Sequence, residues 1–366
     1  MHITIVGGGN IGTQFAVHCA EKQHEVTVYT RTPSKFQRHL LIVDQEGTII
    51  HEGDIKTATC DARTAFCDAD IIFITRPSYA IQEVADEIAA YCNERLKIGL
   101  IPGTGGGEWV FKKCIQKGAV VFGLQRVPSV ARVIEAGKTV RAVGYRKELH
   151  VAALPHNKVE EIKRIITDLF DMDCIALPNY LNLTLTPSNP ILHTVRLKTI
   201  FRDYEKGVYY ERLPLFYEDW DDETSELIFR CDREVQLICK ALEGIDLSWV
   251  KSLKEHYDSD TPGAMSKKIR SIEGFKGLRT PAVEVEGGYV PDLDSRYFTE
   301  DFPYGLEILC QMAEFLDVDV PNMNAILAWY YKIAPNNEKF KFYDYGVNNR
   351  NELLNLYLAN GKGWSE

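Results

Sequence analysis

The sequence predicts an α/β fold class: a doubly wound, mainly parallel sheet forms the first part, and an all-α helical part follows. Three observations predict it. An apolar strand runs straight into a glycine-rich turn that opens a helix. Short apolar strands then alternate with amphipathic helices to about residue 178, after which helical periodicity with longer, proline-marked loops takes over. At 366 residues the chain is too long for one typical core and suits two domains, expected at 1–178 and 179–366.

The first strand, His2 to Val6, leads into Gly7-Gly8-Gly9-Asn10-Ile11-Gly12. Gly7 suits a tight turn, Gly9 lets the backbone approach a pyrophosphate, and Gly12 lets the helix pack on the strand. Asn10 and Ile11 add backbone N–H groups at the helix start, where an anion is favoured. The helix carries Ile11, Phe15 and Cys19 on one face, ends near Lys22 and leads to a second strand, Glu25 to Tyr29. That βαβ context gives the glycine pattern its meaning, and residues 1–178 read as a Rossmann-type dinucleotide-binding domain.

The end of the second strand decides which dinucleotide is expected. An NAD site usually offers a carboxylate to the ribose there. This chain reads Tyr29-Thr30-Arg31-Thr32-Pro33-Ser34-Lys35, without an acid. Arg31 and Lys35 could hold a 2′-phosphate, and NADP is therefore expected, with NAD as the alternative if Arg31 only faces solvent or stacks on adenine.

Later strands are expected at Ile71–Thr75, Ile98–Ile101 and Val120–Leu124, with a helix carrying Ile81, Val84, Ala85 and Ile88 between the first two. Ligands in such folds lie beyond the carboxyl ends of the strands. Pro77 and Ser78, in the turn Thr75-Arg76-Pro77-Ser78, are thus expected at the cofactor. The cluster Pro102-Gly103-Thr104-Gly105-Gly106-Gly107 could offer backbone amides and Thr104 to the nicotinamide ribose or a substrate carboxylate, or be only a flexible connection. Thr139–Val143 and Leu149–Ala153 read as an antiparallel edge; a helix, Val159–Phe170, and a strand, Cys174–Leu177, close the domain.

Composition narrows the function classes. A net charge of −10, with no basic run or aromatic–basic interleaving, argues against nucleic acid as a partner. Nine cysteines are scattered without CxxC pairs or a neighbouring His at ligand spacing, so reduced thiols in the cytoplasm and no metal site are expected. No apolar run approaches membrane-spanning length, and no membrane partner is expected. A homodimer through the helical part is an expectation drawn from the size of its apolar helices.

In the second part, helices are expected at Glu223–Leu242, Phe302–Leu316 and Pro321–Ile333. Two stretches set polar groups at helix starts. In Thr186-Pro187-Ser188-Asn189-Pro190-Ile191-Leu192-His193, Asn189 could cap a helix with Pro190 in its first turn and His193 one turn in. In Ser295-Arg296-Tyr297-Phe298-Thr299-Glu300-Asp301-Phe302-Pro303-Tyr304-Gly305, Pro303 suits a first turn and Asp301 its cap.

With the amino-terminal fingerprint, Pro102–Gly106, the Asn189-Pro190 turn and the Arg296–Asp301 segment, the chain resembles the octopine/nopaline, or opine, dehydrogenase family over nearly its whole length. The resemblance implies an enzyme that reductively condenses an amino acid's amine with an α-keto acid, using NADH or NADPH. It makes residues 179–366 the substrate and catalytic domain, His193 the catalytic acid–base, Asp301 its partner, Arg296 a substrate-carboxylate anchor, and Asn189 a substrate contact. The residue types suit that chemistry. Losing water from a carbinolamine needs proton movement near neutral pH, which imidazole provides. Arginine can clamp a carboxylate in two-pronged fashion.

Alternatives stay open. His193 could be structural, Asp301 only a cap, and Glu300 the true partner. A ketopantoate reductase-like NADPH-dependent ketone reductase, or a non-catalytic NADP(H) sensor, would share the first domain. The aromatic and acidic stretch 203–222 either recognises an ammonium group or is a packed surface loop.

Overall fold

The computed structural model describes residues 1–358 and Trp364. They fall into two compact units. Leu185–Leu354 form the second; Met1–Thr184, joined by the described residues from Asn355 onward, form the first. The division thus comes after Thr184, against the expected 178. The reason is local: the Gln125 side-chain N–H donates to the Asn182 carbonyl (3.2 Å), and the Thr184 hydroxyl donates to the buried Glu108 carboxyl. Tyr357 belongs to the first unit through its carbonyl, which accepts from the Asn179 side chain (3.3 Å), and its ring, set edge-on to Trp109.

Twelve strands build the first unit: β1 (His2–Val6), β2 (Glu25–Tyr29), β3 (His39–Val43), β4 (Ile49–Asp54), β5 (Thr57–Thr59), β6 (Ile71–Ile74), β7 (Lys97–Leu100), β8 (Val120–Leu124), β9 (Val130–Glu135), β10 (Thr139–Val143), β11 (Glu148–Leu154) and β12 (Asp173–Ala176). Eight form the main sheet in the order β12-β11-β8-β7-β6-β1-β2-β5. The run from β5 through β8 is parallel, β11 lies antiparallel to β8, and β12 pairs parallel with β11. Parallel strands are covered on both faces, which is why β6 and β8 are apolar and buried throughout. β1 lies where the strand order reverses, the position at which doubly wound sheets bind ligands.

One expectation fails here. β10 and β11 do not pair with each other. β10 joins a second sheet, β4-β3-β10-β9, against the helix Asn10–Glu21 (α1), while β11 enters the main sheet. Alternating apolar residues mark both segments as strands, but periodicity carries no information about the partner.

The second unit is mostly helical but not all-α. A two-stranded hairpin, β13 (Ala282–Val285) and β14 (Gly288–Pro291), interrupts it. The long helix Asp222–Ala241 is capped by the Asp221 carboxylate, which accepts from the Thr224 amide at 2.7 Å. The helices Asn189–Ile200, Pro262–Arg270 and Pro321–Ile333 pack around it. The segment read as one helix over Phe302–Leu316 begins as a π-helical turn, Phe302–Leu306, before Glu307–Phe315 continues as α-helix. Pro303 lies in that turn, where its missing N–H costs no ladder bond. Phe302 stacks on Tyr330 with centroids 4.2 Å apart, which fixes the start of the turn against the core.

Candidate functional site

The first unit carries a cradle at the carboxyl end of β1. Gly7 has φ +107°, and its N–H donates to the Tyr29 carbonyl at 2.9 Å, so the chain turns where a side chain would be strained. A Cβ on Gly12 would overlap the Gly7 carbonyl, so only glycine lets α1 start this close to the strand. α1 starts after Gly9 with no side-chain cap and no acidic residue in its first turn, and the N–H groups of the Asn10–Gly12 turn remain available to an anion. The Asn10 side-chain oxygen accepts from the Val133 amide of β9 (2.8 Å), which ties the start of α1 to the second sheet.

Around the cradle, the Thr75 hydroxyl donates to the carbonyls of Val6 (2.9 Å) and Gly7 (3.2 Å), locking the end of β6 to the turn. Arg76, next in sequence, has a mostly buried side chain beside Gly7. Nothing in the tetrapeptide Thr75-Arg76-Pro77-Ser78 alone marks this cation as packed beside the turn. Pro77 caps a short 3₁₀ turn in which Ser78 is buried. Arg31 and Lys35 are exposed at the end of β2, with Lys35 in the turn Pro33–Lys35.

The Pro102–Gly107 cluster lies between β7 and the short helix Gly107–Val110, with Thr104 half-buried. Beyond it is a group that the sequence reading missed. Glu108 is fully buried, and burial pushes its carboxyl up to about 7 despite the Thr184 hydroxyl bond that opposes the shift.

The second unit carries a separate centre. Asn189 is the first residue of its helix rather than the cap, a place taken by Ser188, and it is exposed. Four residues on, His193 is buried, with its Nδ1 2.8 Å from Asp301 Oδ2 and its Nε2 2.7 Å from the Tyr217 hydroxyl. Asp301 makes no side-chain cap bond to the turn it precedes, so its carboxylate serves the histidine and not the helix. Glu300 is turned to Arg296, whose Nε lies 2.8 Å from Glu300 Oε2; the Arg296 guanidinium is otherwise exposed.

An ionised Asp301 can only accept, which puts the Nδ1 proton of a neutral ring toward it and leaves Nε2 bare. Tyr217 then donates to Nε2. Burial, reinforced by the neighbouring Tyr297 and by Asp301, raises the Tyr217 phenol far above its ordinary range and keeps it protonated. The ring of Tyr297, with its centroid 4.7 Å from that of His193, adds an aromatic wall.

Tyr217 comes from the 203–222 stretch, and a buried cation fixes that stretch in place. Arg196 lies one turn beyond His193 and is 1% exposed; its guanidinium donates to the carbonyls of Phe216 (3.0 Å) and Asp219 (2.8 Å) and to the Asp221 carboxylate (2.7 Å). The signal available in the sequence was the density of aromatic and acidic residues, which does not say which tyrosine turns inward.

Residues 176–334 match the family model described as NAD/NADP octopine/nopaline dehydrogenase, alpha-helical domain, and residues 3–154 match ketopantoate reductase PanE/ApbA. The chain is 29% identical to an uncharacterized protein of Sinorhizobium fredii, covering 90% of this chain and 94% of that one. It is 25% identical to the octopine dehydrogenase of Mizuhopecten yessoensis, covering 90% and 89% respectively. A solved structure of octopine dehydrogenase with NADH and L-arginine superposes with a TM-score of 0.79 at 23% identity, covering 91% of this chain and 89% of that one. With the helical part matching the octopine/nopaline dehydrogenase model and relatives aligned over about nine-tenths of the chain, the protein is similar to the opine dehydrogenase family over nearly its whole length.

Proposed function

We propose that this protein is an NAD(P)H-dependent oxidoreductase acting on CH–NH bonds, which joins the amine of an amino acid to an α-keto acid and reduces the resulting imine. The observation that carries this reading is the buried His193–Asp301 pair at 2.8 Å, in a chain whose other unit holds a dinucleotide cradle. The amine adds to the keto carbon, the carbinolamine loses the former carbonyl oxygen as water, and the imine carbon takes a hydride. When bound, the reduced nicotinamide supplies that hydride.

Within the chain, His193 moves protons at Nε2, taking one from the substrate ammonium so that the free amine can attack and then giving it to the departing hydroxyl. Asp301 holds the ring's tautomer and orientation, and Tyr217, which keeps its own proton, donates a hydrogen bond that positions Nε2. Arg296 would take the keto acid's carboxylate, in competition with Glu300. Asn189, exposed at its helix start, and Thr104 are assigned as substrate contacts. Gly7, Gly9, Ile11, Gly12, Pro77 and Ser78 would line the dinucleotide, while Arg31 and Lys35 favour NADP by meeting a 2′-phosphate. A cytoplasmic location belongs to the same reading, supported by nine free cysteines. No described helix is long and apolar enough to cross a membrane.

The test follows nicotinamide absorbance with pyruvate, 2-oxoglutarate or oxaloacetate, each with and without a pool of amino acids. Oxidation of NAD(P)H that needs both partners is expected. Oxidation by a keto acid alone would replace this reading with a simple ketone reductase, the alternative that the match of residues 3–154 to ketopantoate reductase supports. Silence with every mixture would favour a sensor.

A further inference from the structure

We infer that His18 and Glu21 of α1 and His51 of β4 form a binding site for a divalent transition-metal ion of the zinc class. One ring nitrogen from each histidine and one carboxylate oxygen of Glu21 lie within 4.8 Å of one another. His18 and Glu21 stand three residues apart and share a face of the helix. His51 reaches them because β4 runs close against α1: a Cβ on Gly53 would come within 2.7 Å of the Glu21 amide nitrogen, an approach that glycine alone permits. The linear sequence hides this set, since thirty residues separate Glu21 from His51.

The surroundings suit an ion. His51 Nδ1 is 2.8 Å from Glu21 Oε2, and the two imidazole centroids are 4.5 Å apart. His18 Nε2 sits 3.2 Å from the Tyr145 hydroxyl, which also accepts from the Gln14 side chain at 3.3 Å; such an outer partner fixes a ligand's ring orientation. Two imidazoles and one carboxylate suit zinc, with a fourth position left to solvent. Tetrahedral bonds of about 2.0–2.1 Å require ligand atoms about 3.3 Å apart, a contraction that the half-buried Glu21 and His51 side chains can make. An ion here would tie the second sheet to the helix that opens the nucleotide cradle. The inference concerns the first unit alone and does not depend on the proposed reaction.

The experiment uses the full untagged chain, stripped with chelator, and titrates it with Zn²⁺ by calorimetry and with Co²⁺ by visible absorbance. One equivalent per chain is expected, with d–d bands of a nitrogen–oxygen site and a Zn²⁺-dependent rise in the unfolding midpoint. His51→Ala and Glu21→Gln should each weaken binding by more than about 100-fold. Absence of saturable binding would overturn the inference. So would equal binding by both variants, or a thiolate-to-cobalt charge-transfer band in the wild type, which would put the ion on exposed cysteines such as Cys60 or Cys67.

Discussion

Glu108→Gln should flatten the pH dependence of stability between pH 5 and 8. Glu108 is fully buried in the first unit, and its carboxyl is held up at about 7 against an ordinary 4.5. The folded state therefore keeps a proton that the unfolded chain has lost, and stability falls as pH rises through this window, levelling above about 7. Each pH unit costs about 1.36 kcal/mol, so the wild type should lose about 2.5 kcal/mol from this group between pH 5 and 8. Glutamine does not titrate, and it keeps the oxygen that accepts from Thr184. The assay is urea unfolding of both proteins at the two pH values. Comparing the two differences removes any constant cost of the substitution. A variant that loses as much stability as the wild type across the window would refute the reasoning, because Glu108 would then ionise as an ordinary exposed acid does.

Four further predictions concern the reaction and its cofactor. His193→Ala and Asp301→Asn should each lower kcat by about 10²–10⁴-fold while leaving the NADPH Kd within a small factor; loss of cofactor binding in either would remove them from the acid–base role. Tyr217→Phe should lower kcat about tenfold at unchanged cofactor affinity, since it strips a buried Nε2 of its partner, and an unchanged kcat would leave Tyr217 as packing only. Arg31→Ala should raise the NADPH Kd about 10- to 100-fold and leave the NADH Kd unchanged, measured by nucleotide fluorescence; equal losses for both would count against a 2′-phosphate contact. Arg296→Ala should raise KM for the keto acid, whereas Glu300→Gln, which removes a competing carboxylate, should lower it; movement of KM for the amino acid alone would reassign the arginine.

The sequence reading recovered what is local. The cradle from His2 to Gly12 is one contiguous strand, turn and helix, and its physics is written in adjacent residues. Helix limits such as Val159–Phe170 and Pro321–Ile333 matched because apolar spacing and proline placement are local too. Pairing was not legible: β10 and β11 look alike along the chain yet join different sheets. Asp301 lies 108 residues beyond His193 and Tyr217 lies 24 beyond it, so no spacing rule links them. The dyad was reached only through resemblance, and the tyrosine was not reached at all. Glu108 escaped for a related reason, because one acid after a glycine cluster gives no sign that the fold will bury it.

Arg196 shows why the helix Asn189–Ile200 carries a buried charge. A segment that leaves a helix and returns with only isolated β-bridges, at Tyr210 and Leu215, still has backbone carbonyls to satisfy. Between Leu215 and Asp221 those groups converge on one guanidinium, which meets the carbonyls of Leu215, Phe216 and Asp219 and the Asp221 carboxylate from a single side chain. Burying that cation costs several kcal/mol unless its donors are filled, and here each partner it gathers also holds the segment down. Lysine, with three donors on one compact ammonium, has neither the planar fork nor the donor count to serve four acceptors at once. The consequence falls on Tyr217, which sits between Phe216 and Asp219. With its backbone pinned on both sides and its ring stacked on Phe275 (4.1 Å) and parallel to Trp220, its hydroxyl meets His193 in one fixed place. Arg196 and His193 lie on the same helix, one turn apart, so the group that positions the tyrosine and the group that the tyrosine serves keep a constant spacing.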